Sequence, residues 1–488
     1  MLFNSAEFLI FLPVVFAIYW LLKDRLKLQN AFVVIASYFF YGWWDWRFLI
    51  LIAFTSLCSY LSGRWMWKNE KLEANIDGNT NNPSTGLRRA RCIAAANIVI
   101  NLLILGVFKY YNFFVESFVA LFPALNTERL LLNIILPVGI SFYTFQALSY
   151  SIDVFRRKLE PTRDIVAFFA YVSFFPQLVA GPIERATNLL PQFERKREFD
   201  YATAVDGCRQ MLWGFFKKMV VADRCAVFVD SVWSDYASQS GSTLFMAAIC
   251  FTFQIYGDFS GYSDIAIGTA KLFGIRLKRN FNVPYFSRDI AEFWRRWHIS
   301  LTTWFRDYIY IPLGGSRVSK VKVIRNTFII FLVSGLWHGA NWTFVAWGAY
   351  HALLFLPLIL LGKNRRYTNI VAEGKVLPSL RECVQMLLTF ILAVFGWIIF
   401  RSENIGQAVD FFRHIVSPNI LSIPQMPGVT LLFVLVMLVT EWFTRTKEHG
   451  LAIESIKQNW IRIIIYYLLI FSIIFYSSES EAFIYFQF

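Results

Sequence analysis

Two histidines frame the chemistry open to this chain. His338 lies in Ser334-Gly-Leu-Trp-His-Gly-Ala-Asn341, inside the long apolar run Thr327–Gly362. His298 closes Trp294-Arg-Arg-Trp-His298, in a basic, aromatic stretch just upstream. An ionisable residue within an apolar span is a functional candidate, because burying it is costly and demands a partner or a wet cavity. The bland alternative for His338 is a neutral ring bonded to a carbonyl of a neighbouring helix. A neutral imidazole can also take the proton of a hydroxyl while its oxygen attacks a thioester or ester carbonyl, which is general-base acyl transfer. His298, taken alone, reads as an interfacial structural histidine and stands as the second candidate.

Other chemistries find little support. His351 follows His338 by 13 residues, about 220° around a continuous helix, so it is expected to face elsewhere unless the helix breaks. His414 and His449 sit in polar, loop-like contexts. No HExxH and no paired Cys/His spacing occurs, so no metal site is expected. There is no GxSxG elbow, no GxxxxGK[ST] phosphate loop and no GxGxxG fingerprint. Asp258 and Asp264, in Gly-Asp-Phe-Ser-Gly-Tyr-Ser-Asp264, fall in an apolar segment. They could line a wet cavity or pair with Arg295 or Arg296, and pairing is the reading taken. Asp153 is expected at the cytoplasmic end of its span, beside Arg156.

These residues need elements to hold them. As one straight helix the run Thr327–Gly362 would measure about 54 Å, against a hydrocarbon core of about 30 Å. It must tilt strongly, extend beyond the membrane or break, and the expected break is the segment in which Gly335 and Gly339 bracket His338. Counted from Thr327, His338 lies about 16 Å along. Upstream, Arg276–Arg325 is too charged to span lipid, and its Trp and Tyr content suits a membrane interface. It is expected to form one or two helices lying at, or dipping into, the cytoplasmic face, ended by Pro312-Leu-Gly-Gly315.

Composition sets the solvent. Of 488 residues 57% are hydrophobic and only 16% charged, against about 25% charged in soluble domains. Apolar runs fall at roughly 7–22, 30–41, 48–62, 93–108, 130–152, 165–181, 243–274, 327–362, 384–400, 427–443 and 460–477. The expected fold is an all-α polytopic integral membrane protein of about ten to twelve transmembrane helices with re-entrant or interfacial pieces. Phe8–Leu22 lacks a basic n-region and a cleavage site, so it reads as a retained anchor. Basic residues crowd alternate loops (Lys23, Arg25 and Lys27; then Arg64 to Arg91; then Arg156 to Arg163), which places the N-terminus outside. The net charge of +14 is therefore mostly topology, and nucleic acid is not an expected partner. The six cysteines are scattered without a CxxC pair and read as small apolar residues. The polar stretches Asn69–Leu87 and Arg185–Ala202 are too short for a separate domain, so residues 1–488 read as a single membrane domain.

The residues also resemble the membrane-bound O-acyltransferase family, in its bacterial branch that modifies cell-envelope polymers. That branch includes alginate O-acetylation proteins, peptidoglycan O-acetyltransferases and the teichoic-acid D-alanylation transferase. The resemblance runs nearly end to end, through Met1–Leu9, Ser37–Trp44, Phe174–Ile183, Gln254–Asp264, Phe293–Ser300, Tyr308–Gly315, Ser334–Asn341 and Phe483–Phe488. It implies a ring of membrane helices around a tunnel or funnel, with an acyltransferase core near 135–362. By it His338 matches the catalytic histidine and His298 the second polar position. It implies a cytoplasmic thioester as donor, acetyl-CoA or an acylated phosphopantetheine carrier, with no bound cofactor. The acceptor would be a hydroxyl of an exported or envelope polysaccharide, reached through a periplasmic acyltransferase partner, from a protein of the bacterial cytoplasmic membrane. Arg295, Arg296 and Arg306 could attract the donor's phosphates, or equally anionic lipid on a positive-inside face. Trp337 and Asn341 are further candidate substrate contacts. D-alanyl or another acyl transfer remains open, and the rival from another class is a proton-coupled transporter or flippase.

Overall fold

The structure is a computed structural model that describes residues 1–76, 84–122, 130–179, 181–477 and 483–484. Part of the expected polar loop (77–83), Arg129, Ala180 of the Phe174–Ile183 segment and residues 485–488 of the C-terminal segment lie outside the described residues. Among the described residues the regular structure is helical, with no strand. Five helices among the described residues are long and apolar enough to cross a membrane: Trp46–Trp67, Gly86–Leu121, Trp342–Leu360, Leu380–Arg401 and Asn459–Tyr476. Ala6–Leu21 and Gly428–Phe443 are shorter apolar helices. The chain is an all-α polytopic membrane protein. All six cysteines are free thiols.

The chain divides into two compact units, Met1–Ala204 with Thr269–Leu277, and Val205–Gly268 with Lys278–Phe488. The first contains α1 (Ala6–Leu21), α2 (Leu26–Gly42), α3 (Leu49–Ile76), α4 (Ser84–Leu105), α5 (Tyr111–Leu121), α6 (Ile140–Phe155), α7 (Ile165–Ser173), α8 (Phe175–Leu178) and α9 (Ala186–Phe193). The expected run 165–181 is thus broken at Phe174, and 130–152 is helical only from Ile140. Apolar side chains cover the outside, and polar ones buried within are hydrogen-bonded. Leu9 and Ile10 are 67% and 71% exposed, whereas Gln29, Asn30 and Gln146 are fully buried. Their amides are spent on neighbours. Arg197 donates to Gln29 Oε1 at 2.7 Å and to Asn30 Oδ1 at 2.6 Å, and Asn30 Nδ2 donates to the Phe193 carbonyl at 2.7 Å. Asp153 is buried within the last turn of α6.

The second unit holds the rest of α10 (Tyr201–Phe215), then α11 (Asp223–Ser234) and most of α12 (Gly241–Leu272). The basic aromatic stretch follows as an extended segment, a short turn at Pro284–Phe286, and two seven-residue helices, α13 (Ile290–Arg296) and α14 (Ile299–Phe305). Gly314 and Gly315, at φ 100° and 58°, end it as expected. Next come α15 (Lys320–His338), α16 (Trp342–Leu360), α17 (Leu380–Arg401), α18 (Ile405–Ile415), α19 (Gly428–Phe443) and α20 (Asn459–Tyr476). The long run therefore breaks, but after His338. Helix α15 starts at Lys320 and finishes on His338, about 27 Å along, rather than carrying the ring mid-helix.

The break makes an antiparallel hairpin of α15 and α16, and three glycines set its spacing. A methyl group on Gly335 would collide with the Phe344 carbonyl, one on Gly348 with the Phe331 carbonyl, and one on Gly339 with the Phe344 ring. Asn341 caps α16, accepting from Thr343 N at 3.0 Å, and donates to the Glu403 carbonyl at 2.7 Å just past α17. This ties the turn that follows His338 to the end of a third helix.

Candidate functional site

His338 is 3% exposed and surrounded by rings. Trp347 lies 4.9 Å away, Trp337 5.1 Å and Phe400 5.7 Å, all steeply inclined to the imidazole. Its Nδ1 is 2.6 Å from the Ser334 carbonyl, one turn back on the same helix. A carbonyl can only accept, so Nδ1 carries the hydrogen and the basic lone pair of the neutral ring is on Nε2.

His298 is brought to the same place. It links α13 to α14 in the left-handed region, at φ 42°, a strained conformation for a residue with a side chain. Its ring lies 5.8 Å from Trp337 and 4.6 Å from Phe259. Its Nδ1 is 3.0 Å from Asn280 Oδ1, and its buried Nε2 has no hydrogen-bond partner among the described residues. Burial, and then the neighbouring His338, hold this imidazole well below the usual histidine range. Trp337 therefore touches two imidazoles, each of which donates from Nδ1 and carries its lone pair on Nε2.

The hairpin removes the continuous helix on which the expected facing of His351 depended. Because α16 runs back along α15, its angular position no longer follows from counting along one helix. His351 packs 5.0 Å from Trp347, on whose ring His338 also rests, and its Nδ1 accepts from Trp294 Nε1 at 3.4 Å. The aromatic wall extends from Trp347 through Trp397 to Trp297. Trp347 and Trp397 were not singled out from sequence, where a tryptophan in an apolar helix looks the same facing lipid or site.

The acidic residues pair, but with other partners than expected. Lys218 Nζ lies 2.7 Å from Asp223 and 2.8 Å from Asp258, and Lys217 Nζ lies 2.6 Å from Asp264. Arg295 and Arg296 are engaged elsewhere. Buried Arg296 pairs with Glu292 at 2.8 Å, and exposed Arg295 donates to the carbonyls of Asn364 and Tyr367. Exposed Arg306 pairs with Asp307 at 2.7 Å. Of the other expected site residues, Trp337 is in the site and Asn341 serves the hairpin turn. His414 donates from Nδ1 to the Asp410 carbonyl at 2.8 Å, whereas His449 is buried against Asp206 at 2.9 Å.

Residues 32–396 match the MBOAT, membrane-bound O-acyltransferase family. The chain belongs to this family. It is 40% identical over 419 residues to probable alginate O-acetylase AlgI of Pseudomonas aeruginosa, covering 86% of this chain and 75% of that one. It is 34% identical to a peptidoglycan O-acetyltransferase of Helicobacter pylori, over 87% of this chain and 81% of the relative. A teichoic acid D-alanyltransferase of Bacillus subtilis is 28% identical over 56% of this chain and 70% of its own length. The protein is thus a multi-pass membrane O-acyltransferase, and the two histidines in contact with Trp337 lie within the part that matches the family.

Proposed function

We propose that this O-acyltransferase moves an acetyl group from a cytoplasmic thioester, acetyl-CoA or an acylated phosphopantetheine carrier, toward hydroxyls of a cell-envelope or exported polysaccharide. The carrying observation is the pairing of His338 and His298 about Trp337, both with Nδ1 committed to the protein. His338 Nε2 takes the proton of the acceptor hydroxyl as its oxygen bonds to the thioester carbonyl carbon. The carbon–sulfur bond then breaks and the leaving thiolate receives that proton, giving an ester and a free thiol. His298 Nε2 offers a second acceptor, which orients the attacking group. The relatives named for O-acetyl transfer to alginate and to peptidoglycan support the acetyl group and the polysaccharide acceptor over D-alanyl transfer.

In this reading the protein resides in the bacterial cytoplasmic membrane with its N-terminus outside. The Lys- and Arg-rich loops then face the cytoplasm, where the donor is made. A periplasmic partner completes delivery to the polymer. Of the three candidate arginines, Arg295 and Arg306 are exposed and so can meet a donor phosphate, whereas Arg296 is buried against Glu292.

The test supplies labelled acetyl-CoA and, separately, acetylated carrier protein to purified protein in lipid, with polysaccharide as acceptor. Acetyl transfer or hydrolysis that disappears in His338→Ala is the expected result. Polysaccharide or proton flux without acyl chemistry would establish the transporter instead.

A further inference from the structure

His298 is held by the segment that follows α12, 18 residues upstream of it. The extended segment after α12 runs beside the α13–α14 junction and is stitched to it by backbone bonds. Ile299 N donates to the Asn280 carbonyl at 2.8 Å, and Asn282 N to the Arg296 carbonyl at 2.9 Å. Between these bonds the Asn280 side chain, fully buried, reaches into the turn. Its Oδ1 is 3.3 Å from Ser300 N, 2.9 Å from Ser300 Oγ and 3.0 Å from His298 Nδ1.

These contacts remove the ambiguity of the amide. The backbone N–H of Ser300 can only donate, so the Asn280 atom facing it is the oxygen. The amide nitrogen consequently points the other way, donating to Ser263 Oγ on α12 at 3.1 Å. An oxygen that only accepts then faces His298 Nδ1, which must carry its hydrogen. Asn280 so holds the lone pair on Nε2, the atom without a partner among the described residues. The same bonds brace His298 in its left-handed backbone conformation, which persists only where the surroundings enforce it.

We infer that Asn280 is a positioning residue for acyl transfer: it fixes the tautomer and direction of His298 and keeps that ring neutral. It does so by offering His298 a dipole rather than a charge. An aspartate there would favour the imidazolium, as in carboxylate–histidine pairs. Among the described residues no carboxylate is paired with the ring, and Glu441 of α19, which lines the cavity beside Asn280, accepts from Tyr256 Oη at 2.9 Å. His338 on α15 is the titratable neighbour acting on it. On α12, Asp258 and Asp264 are taken by Lys218 and Lys217. Arg279 donates to the carbonyls of Phe281 and Lys447, and Arg296 of α13 to Glu292. On the far side of Asn280 lies a polar cavity of about 20 Å³, which also touches Ser263 and has room for about one water. It is too small for substrate, so the role of Asn280 is exerted through His298.

The inference rests on the proposed use of His298, and three full-length variants separate the two. Steady-state acetyl transfer is measured in lipid from pH 5 to 8 for Asn280→Ala, Asn280→Asp and His298→Ala. Asn280→Ala is expected to lower kcat by at least about tenfold, with the donor KM within about twofold of the parent. Asn280→Asp, which keeps the size and the acceptor, is expected to recover part of that kcat. It is also expected to move the acid limb of the pH profile upward by about one pH unit. If Asn280→Ala does not fold, the acid limb of Asn280→Asp decides alone. An unchanged acid limb in Asn280→Asp, or a parental kcat in Asn280→Ala, would overturn the inference while leaving His298 essential. Full activity of His298→Ala would instead remove the functional reading on which it stands.

Discussion

The Nδ1 atom of His338 lies 2.6 Å from the carbonyl oxygen of Ser334. This one contact ties the chemistry to the hairpin, because the ring takes its direction from the last turn of the helix that it ends. His338→Gln can reproduce the hydrogen bond but not the base. Both His338→Ala and His338→Gln should therefore lose about 10²–10⁴-fold in acyl-transfer kcat while inserting into the membrane at parental yield. Full activity in either variant would remove His338 from the mechanism.

The sequence shows the helices because lipid permits few other structures, and runs such as 384–400 and 460–477 emerge as α17 and α20 with little change in their bounds. The break in Thr327–Gly362 is legible from excess length and from its glycines. Its consequence is not, because reversing the chain resets the angular position of every later residue. His351, which would face away from His338 only along a continuous helix, packs with it on Trp347.

Pairings between distant segments are the second thing hidden. Asp258 and Asp264 could be seen to need cations, but Arg295 and Arg296 are no better marked than Lys217 and Lys218. The deciding signal was available in Phe215-Phe-Lys-Lys-Met-Val-Val221, where two lysines interrupt an apolar run and must be paired within it. Asn280 gave no such signal, since an asparagine between an arginine and a phenylalanine reads equally well as a turn.

The close approach of α15 and α16 gives a second prediction. Gly335→Ala places a methyl group against the Phe344 carbonyl, and Gly348→Ala against that of Phe331. These are backbone atoms that cannot swing aside, so the helices must separate. Each variant should lose about 1–3 kcal/mol of stability and, because His338 ends α15, a large part of its activity. Gly428→Ala, with nothing within 4 Å of the added carbon, is the control. Thermal unfolding in detergent that ranks all three alike would refute the argument.

Lys218 lies between Asp223 and Asp258, at 2.7 and 2.8 Å, with all three side chains 1–3% exposed. Lys218→Met leaves the two carboxylates buried without this cation, a loss of about 3–5 kcal/mol. Expression and melting temperature should fall sharply. Adding Asp223→Asn and Asp258→Asn to the same protein removes the uncompensated charge and should recover part of the loss. If the triple variant is no more stable than Lys218→Met alone, charge burial is not the cause.

The buried state of His298 makes stability depend on pH in a definite direction. Its folded pKa lies well below the usual histidine value, first through burial and then through His338. On acidification the unfolded chain therefore takes up this proton first, at about pH 6.5. The stability linked to the neutral ring is full above that value, declines as the pH falls through it, and stops declining, without being regained, once the folded ring itself protonates. Melting temperatures of the parent and of His298→Gln in detergent, compared at pH 8 and pH 5.5, isolate this contribution from those of the other histidines. The parent should lose more than the variant on acidification, since glutamine has no proton to gain. Equal losses would mean that His298 is not held neutral, and would remove the reason for assigning its Nε2 as an acceptor during acyl transfer.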